Sequence, residues 1–81
     1  MSQVLVICES MPYSTEIYLV PEDCGINWNL VNSSYIGDTD CSEEAETEIL
    51  ALGKLLEKEK PLSTPFELDG KTKVIITGLL L

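Results

Sequence analysis

Carboxylates are the side chains through which this chain could do chemistry. Asp38, Asp40, Glu43, Glu44, Glu46 and Glu48 fall within eleven residues. Grouped carboxylates can hold a cation, exchange protons with a substrate, or meet a basic surface. The cation fits worst. Asp38-Thr39-Asp40-Cys41-Ser42 places oxygens at the first, third and fifth positions of a calcium loop, but Glu43 stands where such a loop turns on glycine. Ile49 stands where it closes on glutamate. Proton exchange needs an enclosed pocket, for which 81 residues leave little room. The other nucleophiles lack partners. Cys8, Cys24 and Cys41 have no His to activate them, no Gly-x-Ser-x-Gly elbow exists, and no glycine-rich phosphate loop precedes a helix. The expectation is a protein without catalytic residues, cofactor or metal, whose acids work as a surface.

The charge balance sharpens that expectation. Fourteen acids against five Lys, with no Arg and no His, give a net charge of -9, while the charged fraction of 23% is ordinary. Bases are missing rather than acids added. Residues 1 to 53 hold ten acids and no base, net -10, whereas residues 54 to 81 hold four acids and five Lys, net +1. Direct binding to nucleic acid or to an anionic membrane is therefore disfavoured. Histidine triads, histidine metal sites and histidine switches are excluded. With 44% hydrophobic residues and a mean hydropathy of +0.13, the chain has the apolar content to fold as one domain spanning residues 1 to 81. Three cysteines without a Cys-x-x-Cys pair favour a reducing, cytoplasmic compartment, and leave a single Cys24–Cys41 bridge open. The apolar runs Val4 to Cys8 and Val74 to Leu81 are both too short for a membrane helix.

The acids must be positioned by a helix. Ala45, Ile49, Leu52 and Leu56 recur at spacings of four, three and four, an apolar stripe within a helix expected from about Cys41 to Glu59. Either Asp40 with Glu43, or Ser42 alone, can cap its start, and Pro61 ends it after Lys54, Lys58 and Lys60. Glu43, Glu46, Leu50 and Glu57 then lie opposite the stripe. Around the helix, Val4 to Cys8 reads as a strand central in a sheet, and Thr15 to Val20 as its hairpin partner. Ile26, Trp28 and Leu30 alternate with Asn27 and Asn29, which predicts a third strand with Trp28 in the core. Phe66 to Leu68 and Lys71 to Thr77 flank Asp69-Gly70, a hairpin signal, and the last strand is apolar enough to be central. The predicted fold is α+β, an antiparallel sheet of four to five strands with one amphipathic helix on one face, in the order β-β-β-α-β-β.

A partner-binding surface follows from this arrangement: Asp38, Asp40, Glu43, Glu44, Glu46 and Glu48, with Leu50 as an aliphatic anchor among the acids. Tyr13, beside Met11 and Pro12, and Tyr35, just before the acidic segment, are the aromatic candidates. The competing reading is that acids suit a helix N-terminus and keep a surface soluble. The expected partner is a protein with a basic surface, one that ordinarily holds DNA or RNA. In size, acidity and absence of catalytic motifs the chain resembles the short bacteriophage proteins that disable host defences, the anti-CRISPR and anti-restriction inhibitors. The resemblance rests on no specific motif and assigns no residues. It implies an inhibitor that acts by occupying a host protein's basic groove. The alternative is a structural or regulatory module, an assembly factor or antitoxin-like neutraliser. That module would form a homodimer through the C-terminal strand or the Leu79 to Leu81 tail.

Overall fold

The structure, a computed structural model, describes residues 2–10, 14–35 and 39–79. Two strands form a hairpin, β1 (Gln3–Ser10) and β2 (Ser14–Pro21), followed by helices α1 (Trp28–Ser33) and α2 (Glu43–Glu57) and strand β3 (Lys73–Thr77). The sheet order is β2-β1-β3, with β1 antiparallel to β2 and parallel to β3. Val4 to Cys8 is thus the central strand, as its unbroken apolar run requires.

Alternation divides β1 between the two faces of the sheet. Val4, Val6 and Cys8 share one face with Val20 and Tyr18 of β2 and with Ile75 and Thr77 of β3. Both helices cover that face: Trp28 and Val31 of α1 and Ile49, Leu52 and Leu56 of α2 join those strand residues and Leu79 in one core. Each of the fully buried aliphatic side chains contributes about 1.5–3 kcal/mol through burial. Among the described residues the one buried polar side chain, Thr77, is satisfied by Cys8, Sγ to Oγ1 3.5 Å. Burial pushes the Cys8 thiol pKa up, against a smaller lowering by Thr77. Cys24 and Cys41 are half-buried and free, so they form no bridge.

The second face carries Leu5, Ile7, Ile17, Leu19, Val74 and Ile76, two apolar rows across three strands. Leu5 is buried although it lies outside the helix-side core. The connection from α2 to β3 passes the edge of β2. Leu62 donates its backbone N–H to the Ile17 carbonyl at the free edge of β2, 2.7 Å, and eleven residues later the chain begins β3 on the far side of β1. Leu62 and Phe66 are half-buried on this connection and lie outside the helix-side core.

Four expectations about the fold are corrected. The sheet is mixed and three-stranded rather than antiparallel with four to five strands, and the element order is β-β-α-α-β. Ile26 to Leu30 is no strand. Gly25 adopts φ 93° after β2, and from Asn27 the chain coils, with Leu30 and Val31 N–H groups both returning to the Asn27 carbonyl. Trp28 and Val31, three apart, then face the core, and the Trp28 indole N–H donates to the Glu22 carbonyl at 2.8 Å. Among the described residues Phe66 to Leu68 pairs with no strand, and Asp69 turns the chain with its own carboxylate. Its Oδ1 accepts from the backbone N–H groups of Lys71 (2.9 Å) and Thr72 (2.7 Å) and from the Thr72 hydroxyl (2.8 Å). That local cage launches β3 without a hairpin and holds the Asp69 carboxyl below its usual range, the Thr72 hydroxyl first among the causes. The last strand is an edge rather than central.

On β2, the Tyr18 hydroxyl donates to Glu16 Oε2 at 2.5 Å, which pushes its pKa up to about 12, with desolvation adding to the effect. A proton held more tightly in the folded than in the unfolded chain gives stability that is complete below pH 10.0 and lost as pH rises toward 12. The difference in phenolate absorbance between the parent and Tyr18→Phe should therefore rise near pH 12; a midpoint at 10 would remove the Glu16 hydrogen bond.

Candidate functional site

The acidic surface is created by the way α2 starts and by which face it buries. Ser42 adopts an extended conformation (ψ 158°), and its hydroxyl accepts from the Ala45 backbone N–H at 3.1 Å. Of the two caps open in the sequence, Ser42 alone is the one used. It sets the helix phase so that Ala45, Ile49, Leu52 and Leu56 point into the core, as their spacing predicts. Glu43, Glu44 and Glu46 consequently occupy the exposed first turn, where their charge also favours the positive end of the helix dipole.

The outward face reads Glu43, Glu46, Leu50, Lys54 and Glu57 at successive helical neighbours, all exposed. Leu50 is 52% exposed, an aliphatic side chain held in solvent one turn beyond the acids. Lys54, four residues further on, ends the acidic stretch and limits it to the first two turns.

Other members of the expected surface are placed differently. Glu48 lies at the border of the buried stripe, half-buried, and its Oε2 accepts from the Asn27 backbone N–H at 2.9 Å. Asn27 is the residue at the start of α1 and makes no side-chain cap of its own, so Glu48 serves there as the acceptor brought in from α2. Its carboxylate joins the helices and faces away from the outward acids. Asp40 is exposed in the turn leading to Ser42. Tyr35 is 55% exposed just past α1, on a different element from the α2 acids. Asp38 and Tyr13 lie outside the described residues, as do Leu80 and Leu81 of the expected tail. Leu79 is buried in the chain's own core.

One recess lies apart from this face. A recess of about 240 Å³ at the start of β1 is lined by Ser2, Gln3, Asp69, Lys71 and Thr72, but Asp69 is already committed to its own turn. Among the described residues no group of three or more Cys, Asp or Glu side chains could hold a metal ion, and no helix is long and apolar enough to cross a membrane. Comparison with protein families, curated proteins and solved structures finds no match.

Two substitutions separate the scaffold from the surface. Ser42→Ala should cost about 1 kcal/mol in urea unfolding by removing the cap. Glu48→Ala should speed amide exchange in α1 while costing about 1 kcal/mol or less overall. An unchanged urea midpoint for Ser42→Ala, or unchanged α1 exchange for Glu48→Ala, would contradict these roles.

Proposed function

We infer that the chain is a non-catalytic acidic binding protein whose α2 outer face docks on a basic surface of another protein. The observation that carries this reading is the exposed grouping of Glu43, Glu44 and Glu46 with Leu50 on a helix whose other face is locked in the core. The buried stripe of Ala45, Ile49, Leu52 and Leu56 fixes the helix in place. Carboxylates on its outer face are therefore presented in a set geometry rather than on mobile loops, which lowers the ordering cost of docking. Charge of this density steers encounter with a cationic groove, and a single apolar side chain at its margin slows departure.

Helical neighbours three or four apart hold their Cβ atoms roughly 5–6 Å from one another, comparable with phosphates along a nucleic-acid strand. A groove that ordinarily holds DNA or RNA is the basic surface that suits such a row. The class-level resemblance to phage counter-defence inhibitors suggests one form of this function, in which the target is a host nucleic-acid-binding protein. Tyr35 is exposed and can extend the contact.

Capture from host lysate compares the parent with a variant carrying Glu43→Lys, Glu44→Lys and Glu46→Lys. The variant should lose the captured protein, and capture by the parent should weaken steeply as salt is raised. Equal capture by both, or capture indifferent to salt, would overturn the reading.

A further inference from the structure

We propose that two copies of this chain associate through the outer edge of β3, pairing antiparallel about Ile75 into a continuous six-stranded sheet. Three features converge on that edge. First, β3 is an edge strand, and no backbone group of the described residues bonds to its outer side. The other edge, on β2, is already taken at Ile17 by the Leu62 N–H. An open edge strand is a template for another strand.

Second, Ile76 is 66% exposed, more than any other large hydrophobic side chain described. It lies on the second face beside Ile7, in the row that continues to Ile17. Pairing about Ile75 sets Val74 of each copy directly across from Ile76 of the other, a cross-strand pair of β-branched residues that covers the exposed side chain. The same register sets Lys73 opposite Thr77 rather than opposite the other Lys73, so no like charges face each other across the ladder.

Third, charge leaves little other choice of surface. Two molecules at -9 repel, so a self-contact must use the part of the chain that is not acidic. No Asp or Glu follows Asp69, and β3 with its flanks carries Lys71 and Lys73. Joining the copies there leaves the ten acids of residues 1 to 53 off the pairing edge.

The contact is independent of the α2 face and responds oppositely to salt. Added salt screens the repulsion between copies and should strengthen self-association, whereas it weakens a charge-driven complex. Sedimentation equilibrium of the full chain tests the proposal. The parent should approach twice its 9.0 kDa as concentration and salt rise, and Ile76→Lys should remain at 9.0 kDa with unchanged circular dichroism. A parent that stays at 9.0 kDa throughout would overturn it, as would a variant that still dimerises. Should Ile76→Lys fail to fold, hydrogen exchange of the parent decides. Outward amides of β3 must slow with rising concentration, and exchange independent of concentration refutes the edge contact.

Discussion

The acidic surface of this protein depends on the burial of the α2 stripe in the same core as Val4, Val6 and Val20. Ile49 and Leu52 are essentially without solvent exposure, and they fix both the position and the rotation of the helix. Rotation is what matters for the proposed docking. With the stripe inward and Ser42 closing the first turn, Glu43, Glu46 and Leu50 have nowhere to point but outward. The acidic face follows directly from the apolar one.

Strand β1 supplies the other half of the constraint. It is covered by helices on one face, lies beside an aliphatic second face on the other, and is flanked by a strand on each side. A chain of 81 residues thereby builds two thin apolar layers about one strand instead of a single deep core. The helix layer is closed around Trp28, Ile49 and Leu52. The second layer is only partly shielded and ends in an exposed Ile76 on an open edge. The two surfaces proposed to meet partners, acidic on α2 and aliphatic at β3, are thus different in chemistry and carried by different elements.

Legibility in the sequence followed the length of each periodic signal. The α2 stripe, four apolar residues over twelve positions, gave the helix, its buried face and its exposed Glu residues. The β1–β2 hairpin was equally plain, because two apolar segments adjoin across a short connection. Ile26-Asn27-Trp28-Asn29-Leu30 was not, since five residues fit alternation and a single helical turn alike; the Asn27 carbonyl bonds and the Glu48 acceptor decide for the turn. Asp69-Gly70 misled for a related reason. The same Asp that suits a hairpin also cages its own backbone, and no local signal shows that the preceding segment lacks a partner strand. Within the candidate site, Glu48 belongs to the scaffold because it borders the stripe, a placement the helical wheel contains, while its contact with α1 required knowing that α1 is a helix. Lys54 on the outer face was visible in the same wheel.

The account's central claim is that α2 separates a face that folds the protein from a face that binds. Leu50 tests it most directly, being apolar, exposed and one turn from the acids. The decisive measurement is the unfolding midpoint and the host-protein capture of Leu50→Glu, taken side by side on the full chain. The account predicts a stability change within about 0.5 kcal/mol, as for an exposed site, together with loss of capture. A large fall in stability, or capture equal to that of the parent, would contradict it.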